Sequence, residues 1–225
     1  MNPKIEDKMK RLVILLSFLA IVSIKGYATA QQPDYIFYNG KKYALHTNPL
    51  ESFFEKYPER RPNIDGFSEE LWRGYIATFE IENGEMLLKD IEVEIYNDDR
   101  NLSGTKSVKD EVFPSADKIK IEWFDGLLVC PYGEVLNYVD MGYSSTYSNY
   151  LLIKIDKGNL ISTEEYTGNQ FEKFREEQFQ ALKETREYKQ ALNEMKSNDP
   201  NRSDKEIEDL LRILFIDYIN IAKSK

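Results

Sequence analysis

The chain has 225 residues, a formal net charge of −9, one histidine and one cysteine. Its acidity disfavours a nucleic-acid partner, whose phosphates must be met by Lys and Arg, and unaided adsorption to an anionic membrane. One His and one Cys are too few for a zinc cluster of those residues, so no metal and no cofactor is expected.

At the amino terminus Lys8, Lys10 and Arg11 precede an apolar run from Leu12 to Ile24. Ala28 and Ala30 follow at small-x-small spacing, directly before Gln31. This is the layout of a secretory signal peptide cleaved after Ala30. The run is shorter than the roughly 20 residues of a membrane span; an uncleaved anchor is the alternative. The expected location is periplasmic or secreted, with no membrane insertion after cleavage. The leader carries five cations and two anions, so residues 31–225 hold a charge of about −12. A lone Cys130 leaves no internal disulfide, and its place after "LLV" marks it as a small buried hydrophobe.

The remainder changes character near residue 165, which divides it into a β-rich domain, 31–166, and a helical hairpin, 167–225, expected to pack on the sheet. Four two-residue turn signals punctuate the β part: Asn39-Gly40, Asn83-Gly84, Asp125-Gly126 and Lys157-Gly158. Asn-Gly and Asp-Gly favour tight hairpins, whose central residues need positive φ. The sheet is therefore expected to be a mostly antiparallel meander within an α+β fold. In "IEVEI", Ile91, Val93 and Ile95 alternate with Glu92 and Glu94, and "KIKIEW" alternates likewise through Ile119, Ile121 and Trp123. Each reads as a strand with one wet face.

Helix-start signals occur at three places. Asn48-Pro49-Leu50-Glu51 offers an N-cap, a first-turn proline and an N3 glutamate for a short helix ending before Pro58. Asn169 with Glu172 opens a longer helix expected to reach Lys196, with apolar positions Phe171, Phe174, Phe179, Leu182, Leu192 and Met195. Ser203 with Glu206 opens the last, whose stripe Ile207, Leu210, Leu211, Leu214, Phe215, Tyr218 and Ile219 lies on one side. Residues 97–117 read as a long polar loop.

Catalytic signatures are sparse. There is no Gly-x-Ser-x-Gly elbow and no glycine-rich phosphate loop. The acidic pairs Asp98-Asp99, Asp110-Glu111 and Glu164-Glu165 lack the alternating oxygen ligands of a calcium loop. Glu80, Glu122 and Asp140 lie near aromatics, but nothing marks a pair of them as the two carboxylates of a glycosidase. His46 reads as a strand-end residue bonded to local backbone. A non-enzymatic protein is the expectation.

The aromatic distribution says more. Tyr138, Tyr143, Tyr147 and Tyr150 stand among Gly, Ser and Asn, the composition of a contact surface. The competing reading is that the rings close one end of the sheet. In "FSEELWRGYIATF", one helical turn at Ser68–Trp72 is expected to lead into a strand from about Gly74, on which Tyr75, Ala77 and Phe79 alternate with Ile76, Thr78 and Glu80. Trp72 then reads as a core anchor and Arg73 as a stacked or paired cation. The functional reading makes them a binding site, in which Arg60, Arg61 and Arg73 form a positive patch for a carboxylate or phosphate.

Across "TNPLESFFEKYPERRP", "ELWRGYIATFEI" and "WFDGLLVCPYGEVLNYVDMGY" the chain resembles a family of small exported proteins of gut-type Bacteroidetes for which no activity is established. The likeness rests on "WRGY" at Trp72–Tyr75 and on the Trp-Phe-x-Gly-x-Leu pattern at "WFDGLL" (Trp123, Phe124, Gly126, Leu128), with "LLVCP" more apolar than the family pattern. It implies export and carries over no catalytic residue. Together these features fit a non-catalytic envelope protein that binds another protein, its acidity suiting a basic one, in an inhibitor or immunity-like role. A glycan or cell-wall fragment as ligand, and a structural accessory role, are the alternatives.

Overall fold

The structure is a computed structural model that describes residues 30–64, 68–114, 116–140 and 142–214. The leader through Ala28, and Phe215, Tyr218 and Ile219 of the last stripe, lie outside the described residues. The described chain is a mixed α+β fold dominated by one nine-stranded sheet. It divides into two compact units, one running through Phe171 and the other from Glu172 onward.

The sheet contains β1 (Asp34–Tyr38), β2 (Lys41–Leu45), β3 (Ile76–Glu82), β4 (Glu85–Tyr96), β5 (Leu102–Ser107), β6 (Ile119–Lys120), β7 (Gly126–Asn137), β8 (Thr146–Asp156) and β9 (Asn159–Thr167). The order is β2-β1-β3-β4-β9-β8-β7, with β5 and β6 added beside β4. Among the named strands of the described residues, only β1 and β3 pair in parallel; the other ladders are antiparallel. The two end strands also meet: the His46 N–H donates to the Val129 carbonyl at 2.8 Å. The Val129 N–H in turn donates to Thr47 Oγ1 at 3.4 Å. The sheet thus curls round a core that includes Ile36, Phe54, Tyr75, Phe79, Leu128 and Ile153.

Three of the four expected hairpins form. Asn39-Gly40, Asn83-Gly84 and Lys157-Gly158 all have positive φ at both positions, and each joins two consecutive antiparallel strands. Asp125-Gly126 does not. β6 pairs with β4, and β7 pairs with β8. Asp125 instead accepts the Lys157 N–H at 3.0 Å, bracing the next hairpin. The expected loop 97–117 is also corrected: it contains β5 and a short helix, Lys109–Val112. Every β5 residue is exposed, so no apolar alternation announces the strand. Its backbone ladder and the polar cross-strand bonds Thr105–Glu92 and Ser107–Asp90 hold it on β4. On β3 the expected alternation is present, with Tyr75, Ala77 and Phe79 fully buried.

Helix α1 (Glu51–Lys56) follows the proline signal, but Asn48 does not cap it; the cap position is Leu50, without a side-chain bond. The helix Lys109–Val112 is α2, followed by α3 (Gly168–Lys183), α4 (Arg186–Asn198) and α5 (Asp204–Leu214). The long helix expected to Lys196 is therefore two. Thr185 breaks it by adopting an extended backbone and accepting the Tyr188 N–H. At the start of α3, Thr167 and Gln170 exchange bonds in place of the expected Asn169 and Glu172. At α5 the Ser203–Glu206 capping box forms as read. Ile207 and Leu211 are fully buried with Phe179, Leu182, Tyr188 and Ala191 in a second core.

Candidate functional site

The expected site residues separate into a buried network and an exposed surface. The network begins on β1. Asp34 is fully buried, with Arg73 beside it. Its Oδ1 accepts the Ala77 N–H at 2.8 Å and lies 3.4 Å from Arg73 Nη2. The same Nη2 donates to the Gln32 carbonyl at 2.7 Å, and Nη1 donates to the Tyr143 hydroxyl at 2.8 Å. Tyr143 then donates to Asn48 Oδ1 at 3.0 Å. That bond takes the side chain that the sequence offers as a helix cap. The His46 ring stacks on Tyr143 at 4.7 Å between centroids.

Burial pushes the Asp34 carboxyl up to about 6, against the pull of Arg73. Burial alone would lower the Arg73 guanidinium, but Asp34, Tyr143, Tyr75 and Glu51 raise it overall, so it remains cationic. At neutral pH the pair is a buried ion pair, costly to desolvate and costly to break.

The expected positive patch does not assemble, because each arginine is occupied. Arg60 lies over Phe53 and Phe113 and donates to the Val112 carbonyl. Arg61 forks onto Glu51 at 3.2 and 2.8 Å and lies 5.0 Å from the Phe54 ring. Glu51 also accepts the Tyr75 hydroxyl at 2.7 Å. The tyrosines do not form one platform either. Tyr150 is buried, stacks on Phe171 at 3.9 Å, and receives the Tyr147 N–H on its hydroxyl. Tyr147 meets Tyr150 at 88°.

Trp72 is a correction to the core-anchor reading: it is 51% exposed. In the single 3-10 turn Glu69–Leu71, Leu71 takes the inward position and Arg73 turns in to meet Asp34. Gly74, at φ +79, then redirects the chain so that Tyr75 points inward; an added Cβ there would meet Ile64 at 2.8 Å.

Trp72 shares its surface with Tyr138, which is 67% exposed. Gln31 stitches the two together. Gln31 Oε1 receives the Trp72 N–H at 3.4 Å, and its Nε2 donates to the Glu69 carbonyl at 2.7 Å. The Gln31 N–H donates to the Gly142 carbonyl at 3.1 Å. Asp140 Oδ1 accepts the Tyr138 hydroxyl at 3.3 Å. Asp140 first, and more weakly Glu70, raise the Tyr138 phenol. The result is two exposed aromatic rings, with Asp140 and Glu70 near Tyr138 and Glu69 in the turn that precedes Trp72.

Among the described residues no group of three or more His, Cys, Asp or Glu is placed to hold a metal ion. Cys130 is buried, and burial pushes its thiol far up. No helix among the described residues is long and apolar enough to cross a membrane. No family model, curated protein or solved structure matches the chain. The one signal for the Trp72–Tyr138 surface was tyrosine in a Gly/Ser-rich stretch; nothing in the local sequence said which tyrosines would point outward.

Proposed function

We propose that this chain is an exported, non-catalytic binding protein of the bacterial envelope. It recognises another protein of basic character through the surface carrying Trp72 and Tyr138. The observation behind this reading is the exposure of both rings beside Glu69, Glu70 and Asp140. Trp and Tyr are enriched among the few residues that carry most of the energy at protein interfaces, and carboxylates around them speed encounter with a cationic partner. An inhibitor or immunity-like role needs only such a face on a stable scaffold. The leader pattern and the resemblance to exported Bacteroidetes proteins support the location. A glycan platform has less support, because Tyr147 and Tyr150 meet edge-on rather than coplanar.

The test is capture from an envelope extract on immobilised residues 31–225, comparing the wild type with a Trp72→Ala/Tyr138→Ala double variant. A stoichiometric protein that is retained by the wild type, released by salt and lost with the double variant supports the reading. A species retained equally by both, or a retained glycan, overturns it.

A further inference from the structure

A second cluster of rings lies away from Trp72 and Tyr138, on the inner face of the curled sheet. Tyr38 ends β1, Tyr43 lies on β2 and Tyr132 on β7, and all three pack half-buried against the main core. Their placement follows from register. Tyr43 pairs with the core residue Ile36. Cys130, two residues before Tyr132, pairs with Leu151, and Leu151 pairs with Glu165 of β9. Paired residues share a face of a sheet, so the floor of this mouth is Ile36, Cys130 and Leu151, all buried.

The Tyr43 and Tyr132 rings stand 6.0 Å apart at 81°, in an edge-to-face contact. Glu165 is exposed, shares the Leu151 face of the sheet on β9, and its charge acts on both the Tyr132 and Tyr43 phenols. Among the described residues it forms no ion pair. Burial first, and then Glu165 and Tyr43, raise the Tyr132 phenol; Tyr43 is raised by burial, Cys130, Glu165 and Tyr38. Both hydroxyls therefore stay protonated and neutral at physiological pH.

Ring faces carry negative potential and attract a cation within about 6 Å of a centroid. A single carboxylate beside two orthogonal rings adds full charge without the several oxygens that a metal ion needs. An anion would be repelled by Glu165, and a neutral ligand would gain nothing from it. We propose that this mouth, formed by Tyr38, Tyr43, Tyr132 and Glu165, binds a small organic ammonium ion, its alkyl groups against the rings and its charge facing Glu165. The site is separate from the Trp72–Tyr138 surface and does not depend on a protein partner.

The test is titration of the full chain with choline and, in parallel, with 3,3-dimethylbutan-1-ol, its uncharged carbon isostere, following tyrosine ring resonances by NMR. Choline is expected to shift the Tyr43 and Tyr132 signals saturably and to bind roughly tenfold or more tightly than the isostere. Glu165→Gln, an exposed and isosteric change, is expected to weaken choline roughly tenfold while leaving the spectrum otherwise folded. Tyr43→Leu, checked for folding by circular dichroism, keeps the apolar volume and is expected to weaken choline more than the isostere. Equal binding of the isostere, indifference to Glu165→Gln, or no saturation by about 50 mM choline overturns the proposal.

Discussion

The Arg73 guanidinium donates to the Tyr143 hydroxyl at 2.8 Å, joining residues 70 apart in the chain. The hydroxyl passes the interaction on to Asn48 at 3.0 Å, so one phenol ties the strand-entry turn, the helix-entry loop and the 138–146 segment. Tyr143→Phe removes only that oxygen. It leaves an N–H of a buried cation and the Asn48 carbonyl without this partner, a loss of about 1–3 kcal/mol. The urea midpoint is expected to fall accordingly at unchanged slope. A change under about 0.5 kcal/mol, the range of ordinary surface substitutions, would return Tyr143 to the contact surface.

Asp34 links the same network to pH. Its folded pKa of about 6 lies above its ordinary 3.8. As pH falls through 6, the native state takes up a proton that the unfolded chain does not bind until near 3.8. This group therefore favours folding increasingly over that window, and the gain is lost as pH rises back to 6. Asp34→Asn removes the dependence while keeping an acceptor for the Ala77 N–H. At about 1.36 kcal/mol per pKa unit, wild type is expected to gain about 2 kcal/mol relative to this variant between about pH 7 and pH 4, where the unfolded carboxyl has itself begun to protonate. Parallel stability curves for the two proteins would show that Asp34 does not titrate in this window.

The β part was readable where the backbone makes an unusual local demand. Asn39-Gly40 and Asn83-Gly84 mark positive-φ turns that few other residue pairs tolerate, and they placed two hairpins to the residue. Asp125-Gly126 carries the same signal, yet its strands pair elsewhere, because partner choice depends on the whole sheet. β5 was invisible because it buries no side chain; it is held by backbone bonds and polar side-chain pairs that leave no apolar alternation in the sequence. Trp72 was misplaced because a single turn gives inward space to only one or two side chains, and Leu71 and Arg73 took it. Arg73 turned in because of Asp34, 39 residues earlier, a pairing that no local pattern records. The Tyr38–Tyr43–Tyr132 mouth was missed for the same reason: its three rings come from three strands.

Because Trp72 and Tyr138 are exposed, replacing either with Ala is expected to shift stability by less than about 1 kcal/mol. If they form the centre of an interface, each replacement costs at least about 2 kcal/mol of binding, roughly thirtyfold in affinity. Glu69→Gln with Glu70→Gln is expected to slow association and flatten its salt dependence, with little effect on dissociation. Surface-plasmon rates against the captured partner separate these effects. Unchanged association rates at low salt would remove the acidic rim from the recognition mechanism.

Tyr75 offers the most direct measure of a single buried bond in this fold. Its ring is fully buried and meets Phe54 edge-on at 5.2 Å. Its hydroxyl donates to Glu51 Oε1 at 2.7 Å, and Arg61 holds both oxygens of the same carboxylate. Burial, followed by Glu51 and Asp34, raises the phenol well above its ordinary value against the opposing pull of Arg73, so it acts only as a donor at neutral pH. Tyr75→Phe preserves the packing and removes one hydrogen bond to a charged acceptor, with an expected loss of about 1.5–3 kcal/mol. Glu51→Gln weakens the Arg61 fork as well. A double-mutant cycle between the two isolates the Tyr75–Glu51 term, expected to exceed about 1 kcal/mol. Additivity within about 0.3–0.5 kcal/mol would mean that the phenol contributes through its ring alone and that Glu51 is held by Arg61.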